Sequence, residues 1–173
     1  WHIATVPDLV GEHVDQLGNS DSRTIAFIRR YTEEIVVRYK DSPAIWGWEF
    51  GNEYNLVADL PNAAACRPPV LMHLKTATTR TARDELRSEQ MLTAFAEFAR
   101  SVRRHDRHRI IITGNSVPRS CAYHNTKERS WKPDTIEQFN EILLRDNPDP
   151  IDTLSVHIYP EKDGKYPAGT GDL

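Results

Sequence analysis

At 173 residues, with 39% hydrophobic and 27% charged side chains, the chain is long enough for one globular domain with a packed core. Its formal net charge of −3 leaves no basic excess, which argues against a nucleic-acid partner. The aliphatic run Ile110-Ile111-Ile112 falls far short of the ~20 apolar residues that span a bilayer, so we expect no membrane partner. The opening Trp1-His2 lacks the pattern of a signal peptide and is typical of mid-protein sequence, so the compartment is unknown.

The first part of the chain predicts a loop, a helix and a strand. Residues 1–19 are loop-like, and Asp21 or Ser22 can cap a helix over 23–39. The apolar residues of that helix recur at helical spacing: Ile25, Ile28, Ile35 and Val36. Residues 44–50 are rich in aromatic side chains without polar alternation, which predicts a fully buried strand.

A long loop over 54–77 precedes a second predicted helix, over 83–104. A second strand covers 109–113, and another long loop covers 114–132. Cys66 and Cys121 fall in these two loops and lack metal-ligand spacing. A disulfide bridge and two free thiols are both compatible with the sequence.

Asp134 and Glu137 have the spacing of a capping box for a third helix, which ends near Arg145. Residues 152–158 predict a third strand. The alternation of helices and strands favours an α/β fold with a parallel sheet. All long loops follow strand C-termini, where (β/α)8 barrels and open doubly wound sheets both place their active sites.

The first strand leads directly into Gly51-Asn52-Glu53. Period-two alternation puts Gly47, Glu49, Gly51 and Glu53 on one side and Trp46, Trp48 and Phe50 on the other, under the helices. A carboxylate at the C-terminal end of a strand, beside an amide and an aromatic shell, suits general acid catalysis. Alternatively, Glu53 caps a loop or pairs with an arginine.

The third strand places further polar side chains at the same edge. Ser155, His157 and Tyr159 share one face of it, so His157 and Tyr159 should project on the side where Glu53 lies. A purely structural role for both is the alternative. Their agreement with Glu53 in register favours a site.

These motifs resemble those of a known enzyme family. Ser42 to Glu53 (SPAIWGWEFGNE) resembles the fourth-strand signature of clan A glycoside hydrolases, and is nearest to family 5, the cellulase and β-mannanase family. Ile151 to Pro160 (IDTLSVHIYP) resembles strand 6 of that family, and Ile110 to Gly114 resembles strand 5 more weakly. The resemblance runs from about Arg23 to Pro160.

The resemblance implies that residues 1–173 form a single domain, the central part of a (β/α)8 TIM barrel that hydrolyses β-1,4-linked glucan or mannan with retention of configuration. It implies that Glu53 is the general acid/base, that Asn52 binds the substrate's 2-hydroxyl, and that His157 lies near Glu53. Tyr159 would contact the nucleophile. An oligo- or polysaccharide is the expected partner, no cofactor is expected, and an extracellular location would suit such an enzyme.

The chain departs from that family in its strand count. A barrel needs eight βα units and typically ~250 residues, so strands 1–3 and 7–8, with the glutamate nucleophile, are expected outside this sequence. Glu49 lies about 13 Å from Glu53 along the strand at ~3.3 Å per residue, whereas retaining chemistry needs ~5–5.5 Å. Glu161 follows on the correct edge, but its sequence surroundings favour a solvated loop.

Aromatic residues in the loops after the strands could stack on sugar rings. Trp131 is the best candidate for that role, and the others are Tyr123, Tyr54 and Trp1. The segment from His105 to His108 resembles a metal cluster but falls at the opposite end of the sheet, so no metal site is expected.

We expect the isolated chain to be inactive, and to aggregate or bind the missing part of the barrel through its open sheet edges. One alternative is a non-catalytic carbohydrate-binding module derived from the same barrel. Another is an unrelated open α/β enzyme, although the chain has no phosphate-binding glycine loop and no nucleophile elbow.

Overall fold

A computed structural model describes residues 5–74, 76 and 79–158. Within them, seven regular elements follow one another: α1 (Thr5–Val10), α2 (Arg23–Tyr39), β1 (Gly47–Glu49), α3 (Ser88–Arg103), β2 (Ile110–Ile112), α4 (Ala122–Glu128) and α5 (Ile136–Arg145). Short 3₁₀ helices cover Val14–Gly18, Tyr54–Leu56, Ala63–Cys66 and Ala82–Asp84. No helix among the described residues is long and apolar enough to cross a membrane.

Helix α2 forms as the sequence predicts. The Ser22 side chain accepts the Ile25 N–H at 3.1 Å and so caps the helix, because the first turn has no carbonyl partners of its own. Ile25, Ile28 and Val36 are buried against α3, which confirms the apolar face. The two helices form the core over one side of the strands.

Helix α3 begins at Ser88, five residues later than predicted. Residues 82–84 form a separate 3₁₀ turn that Thr81 and Asp84 cap reciprocally, and Glu85 is extended. The helix supplies the centre of the core with the almost completely buried side chains of Ala94, Phe95, Ala99 and Val102.

Strands β1 and β2 pair in parallel, with Gly47 opposite Ile110 and Glu49 opposite Ile112. The pair continues past both strands, since the Phe50 N–H donates to the Ile112 carbonyl at 3.1 Å. At Gly47 a Cβ would lie 2.6 Å from Cγ1 of Ile110, so a larger residue would displace that isoleucine. The strands are shorter than the predicted 44–50 and 109–113.

The prediction that the first strand is fully buried is wrong. Trp46 is 87% exposed and Glu49 is also exposed, because no described element packs over the start of β1 or its Glu49 side. Trp48 is buried, and the Phe50 ring meets that of Phe95 edge-on at 5.1 Å. The helices therefore cover the aromatic side from Trp48 onward only.

The predicted third strand, 152–158, is reduced to one parallel bridge between Ser116 and His157. Asp152 N–H donates to the Ile111 carbonyl at 3.3 Å, but the Ile111 N–H donates to the Asp152 carboxylate at 2.9 Å. The Asp152 carboxylate thus accepts the bond that a backbone carbonyl would accept between paired strands, and regular strand pairing does not continue along this segment. The segment still runs parallel beside β2, and the barrel stays a prediction.

The predicted capping box of α5 is wrong by one residue, since Thr135 and Gln138 form it. Asp134 is buried and engaged elsewhere: its carboxylate accepts the Tyr123 N–H at 2.9 Å and contacts His124 Nδ1 at 2.7 Å. These bonds fix the start of α4, a helix within the segment 114–132 that the sequence predicted as loop.

Two further segments also differ from a plain loop. Residues 1–19 contain α1 and the 3₁₀ helix Val14–Gly18 where the sequence predicted a loop. Cys66 is exposed, Cys121 is buried, and both are free thiols. Of the two alternatives, a disulfide bridge and two free thiols, the structure shows two free thiols.

The segment from His105 to His108 lies at the N-terminal end of the two strands and is hydrogen-bonded to Trp48 of β1 and to Arg109, which precedes β2. Trp48 Nε1 donates to the Asp106 carboxylate at 2.9 Å, and Arg109 Nη1 donates to the same oxygen at 2.9 Å. The backbone N–H groups of His108 and Arg109 donate to its other oxygen. Burial opposes ionisation of Asp106, but these four bonds outweigh it and hold the pKa of the carboxyl well below its usual range.

Candidate functional site

The loops that follow β1 and β2 cross at two glycines. Gly114 has a φ of +74°, a region that side chains with a Cβ rarely adopt. A Cβ there would lie 1.9 Å from the Gly51 carbonyl oxygen and 2.9 Å from Glu49 Cγ. Only glycine allows the two strand ends to approach this closely.

Glu53 lies immediately beyond that crossing, in the left-handed conformation with φ 56° and ψ 31°. Its N–H donates to the Gly114 carbonyl at 2.8 Å. Such a backbone is uncommon for a residue with a side chain, and it persists only where the surroundings enforce it. The loop conformation, not the alternation of β1, therefore sets the direction of the Glu53 side chain.

The structure brings Glu53 and His157 together. His157 Nδ1 lies 3.2 Å from Glu53 Oε1, with the imidazole side chain 32% and the carboxylate side chain 21% exposed. Backbone bonds hold the histidine in place: its N–H donates to the Asn115 carbonyl at 3.0 Å, and its carbonyl accepts the Val117 N–H at 3.1 Å. A half-buried carboxylate in contact with an imidazole can accept or release a proton towards a bound molecule.

Sequence reasoning missed Asn55, which joins the two loops. Its Nδ2 donates to the Ser116 carbonyl at 2.7 Å, and its Oδ1 accepts the Ser116 N–H at 3.0 Å. Asn55 lies two residues after Glu53 in the sequence, but its partner Ser116 is 61 residues away. No local pattern could have identified this contact.

A buried polar layer supports the loop after β2 from below. Asn115 Nδ2 donates to the Asp146 carbonyl at 2.9 Å, and Thr113 Oγ1 donates to Asn147 Oδ1 at 2.9 Å. Burial raises the pKa of Asp146, although Arg145 beside it acts in the opposite direction. The bonds to Asp146 and Asn147 hold the loop after β2, which contacts His157, against the residues that follow α5.

Of the other predicted site residues, the structure describes Asn52 and Trp131. Asn52 is exposed beside Glu53, and it borders an apolar cleft of about 480 Å³ between α2 and the open edge of β1. Trp131 is 50% exposed in the segment between α4 and α5. Tyr159 and Trp1 lie outside the described residues.

The suggestion that Tyr54 stacks on a sugar is wrong. Its ring is buried beneath Gly51, where a Cβ would lie 1.9 Å from Tyr54 Cε2, and it meets Phe50 edge-on. Burial raises the pKa of its hydroxyl to about 12. Tyr54 is thus part of the core that fixes the Glu53 loop. Tyr123, partly exposed, stays a candidate.

Among the described residues, no cluster of three or more histidine, cysteine, aspartate or glutamate side chains is arranged to hold a metal ion. What the described site offers is a carboxylate and an imidazole in contact, just beyond the C-terminal ends of β1 and β2.

Comparison with known proteins supports a partial relationship. No protein-family model matches the chain. Over 48 residues, 25% of this chain, it is 50% identical to the probable mannan endo-1,4-beta-mannosidase C of Aspergillus terreus (strain NIH 2624 / FGSC A1156). The match covers 12% of that protein, so the chain spans only a small part of its length. This segment indicates a relationship to glycoside hydrolases.

Proposed function

We propose that this chain carries the acid/base half of a retaining glycoside hydrolase that cleaves β-1,4-linked mannan, within a (β/α)8 barrel of the family 5 type. The observation that carries the proposal is the 3.2 Å contact between Glu53 and His157, two side chains 104 residues apart that meet where parallel segments end. Enzymes of this architecture place their catalytic residues at that edge.

In the proposed reaction, Glu53 protonates the glycosidic oxygen as the bond to the leaving sugar breaks. A glutamate from a later strand attacks the anomeric carbon and forms a glycosyl-enzyme intermediate. Glu53, now ionised, removes a proton from water, which displaces that glutamate and restores the acid. His157 contacts Oε1 of Glu53, and Asn52 is available to bind the 2-hydroxyl.

We expect the attacking glutamate to come from outside the described residues. Glu49 ends β1 beside Gly114, and Glu53 lies in the loop that follows. Four residues of extended chain span about 13 Å, whereas retaining chemistry needs ~5–5.5 Å. Glu161 lies outside the described residues. We therefore expect the 173-residue chain alone to be inactive. Turnover by this polypeptide that Glu53→Gln abolishes would contradict that expectation.

The open edge of β1 fits the same proposal. Residues Gly47 and Glu49 turn their backbone N–H and carbonyl groups away from β2. The apolar cleft beside them, lined in part by Phe27, Ile28 and Tyr31 of α2, could accept one more strand of the barrel. Self-association of the isolated chain through this edge is the alternative outcome, and light scattering would detect it.

Mannan is preferred over glucan as the proposed substrate because the matched relative is named for endo-1,4-β-mannosidase activity. The family resemblance alone covers both polysaccharides. Rates on β-mannan and on a soluble cellulose derivative, measured side by side, would distinguish the two.

The direct test compares two glutamate variants in the longest natural form of the protein. Glu53→Gln should lower kcat on β-mannan by about 10²- to 10⁴-fold, because general acid catalysis contributes that much. Glu49→Gln, an exposed carboxylate four residues earlier, is the matched control and should retain far more activity. Equal activity of the Glu53→Gln variant and the wild type would refute the proposal. Binding of manno-oligosaccharides without any hydrolysis would favour a carbohydrate-binding module instead.

A further inference from the structure

The Glu53–His157 contact joins two chain segments that regular sheet pairing does not hold together. Strand β1 ends at Glu49 and β2 at Ile112, so both residues lie beyond the strands. The segment of His157 has a single bridge to its neighbour. Something other than a β-ladder must therefore fix the relative position of the two side chains.

Asn55 supplies a side-chain part of that connection, beside the backbone bond from the Glu53 N–H to the Gly114 carbonyl. Its carboxamide donates to the carbonyl and accepts from the N–H of one residue, Ser116, at 2.7 and 3.0 Å. A carboxamide presents a donor and an acceptor side by side, as a peptide group does, so this pair of bonds mimics one rung of a β-ladder. The side chain thus extends the sheet pairing past the point where the backbone stops.

Both ends of this connection lead directly to the pair. Asn55 is two residues after Glu53, at the centre of the 3₁₀ turn that Glu53 begins. Ser116 is the bridge partner of His157, and its neighbours Asn115 and Val117 bond the histidine backbone at 3.0 and 3.1 Å. A shift at Ser116 would therefore move His157 relative to Glu53.

We propose that Asn55 is a positioning residue that sets the contact between Glu53 and His157. Its importance for catalysis rests on the function proposed above, but its effect on the contact does not. Asn55 acts through Ser116 and touches neither member of the pair in the described contacts. Loss of either bond to Ser116 removes a side-chain tie between the loop of Glu53 and the segment of His157, and leaves the Glu53 N–H bond to the Gly114 carbonyl.

The test is a comparison of histidine ring signals in the longest natural form of the protein, labelled with ¹⁵N-histidine. Glu53→Gln changes the ring nitrogen resonances of His157 to the extent that the two side chains are in contact, and His157→Gln assigns them. That change should be clearly smaller in an Asn55→Ala background than in an Asn140→Ala background. Asn140 is an exposed asparagine of α5 and serves as the matched control. Equal changes in the two backgrounds would overturn the proposal.

A second variant covers the case in which Asn55→Ala does not fold. Asn55→Asp keeps nearly the same volume and the acceptor for the Ser116 N–H, but it replaces the donor to the Ser116 carbonyl with a second oxygen. It should reduce the response of His157 to Glu53→Gln in the same direction. An undiminished response in a folded Asn55→Asp protein would equally overturn the proposal.

Kinetics separate this proposal from the proposed function. If Glu53 is the acid/base, Asn55→Ala should lower kcat on β-mannan by on the order of 10²-fold with little change in KM, because misplacement of a reacting group mainly slows the chemical step. Full activity of Glu53→Gln would refute the function, while the histidine signals would still decide the role of Asn55. Full activity of Asn55→Ala, with Glu53→Gln inactive, would refute the positioning role alone.

Discussion

The two ends of the parallel pair β1–β2 are built differently. At the N-terminal end, Trp48, Asp106 and Arg109 form a closed network in which the carboxylate is 4% exposed and accepts four hydrogen bonds. At the C-terminal end, Glu53 and His157 are partly exposed, and hydrogen bonds between loops hold them outside regular strand pairing.

This difference indicates that the N-terminal end of the pair stabilises the fold and that the C-terminal end is available for chemistry. A buried carboxylate with every lone pair engaged has no free capacity for a substrate, but its loss exposes several unsatisfied donors. A partly exposed carboxylate beside an imidazole contributes less to folding and keeps lone pairs available for a bound molecule. We therefore expect substitutions at the two ends to affect different measurements, and the predictions below run from the largest expected change in the free energy of unfolding to the smallest.

Asp106→Ala should have the largest effect. It leaves the Trp48 indole, the Arg109 guanidinium and two backbone N–H groups without their acceptor, at a cost of about 3–5 kcal/mol, as for other broken buried ion pairs. Urea unfolding followed by tryptophan fluorescence measures the change. Asp41→Ala, whose side chain is 88% exposed, is the control and should cost under ~0.5 kcal/mol. Similar losses of unfolding free energy in the two variants would contradict the proposed role of Asp106 in stabilising the N-terminal end of the strands.

Gly114→Ala should cost about 1–3 kcal/mol, since it puts a Cβ at a φ of +74° and against the Gly51 carbonyl. It should also weaken the Glu53–His157 contact, because the Glu53 N–H bonds to the Gly114 carbonyl. Gly18→Ala is the control: its φ is not positive, and its Cβ would meet the Gln90 side chain at 3.3 Å and the Gln90 Cα at 3.5 Å. Equal thermal stability of the two variants would show that the glycine crossing is not constrained.

The pH dependence of stability should have opposite signs at Asp106 and Asp146. The folded-state pKa of Asp106 is lowered, so its contribution is present above the unfolded-state value of ~3.9 and is lost as the pH falls below that. The folded-state pKa of Asp146 is raised, so its ionisation disfavours the folded state as the pH rises above ~3.9.

Asparagine variants measure both effects. The destabilisation by Asp106→Asn should diminish as the pH is lowered from neutrality into the acid range. The destabilisation by Asp146→Asn should instead be greater at acid pH than at pH 7. Urea midpoints at a series of pH values provide the measurement, and parallel curves for the two variants would contradict the assigned directions.

Trp131→Ala should cost less free energy of unfolding than Asp106→Ala, because half of the residue is already exposed. If its ring stacks on a sugar, the affinity of the folded variant for manno-oligosaccharides should fall. Calorimetric titration of the longest natural protein tests this. Unchanged affinity would remove Trp131 from the site.

The sequence predicts those features that local physics determines. Ser22 and the spacing of Ile25 and Ile28 suffice to place α2, because a cap and a helical period are local signals. Glu53 and His157 could be selected as neighbours because parallel strands end at a shared edge. The function of the pair stays a prediction.

The features that were missed depend on distant contacts. The left-handed backbone of Glu53 follows from its bond to Gly114, and the break in the third strand follows from the Asp152 carboxylate at Ile111. Asp134 has the pattern of a helix cap, but the buried N–H groups of α4 occupy it. The spacing of residues in the sequence does not indicate which of several possible partners a side chain binds in the folded protein.

The central claim, that Glu53 is the acid/base, is tested most directly by the dependence on the leaving group in a Glu53→Ala variant of the longest natural protein. Cleavage of β-mannan should fall by about 10²- to 10⁴-fold. Formation of the glycosyl-enzyme from a dinitrophenyl β-mannoside should stay near the wild-type rate, because the departing phenolate needs no proton. Added azide should accelerate turnover, since it attacks the intermediate without a general base. Wild-type cleavage of mannan, or equal loss on both substrates with no azide effect in a folded variant, would contradict the claim.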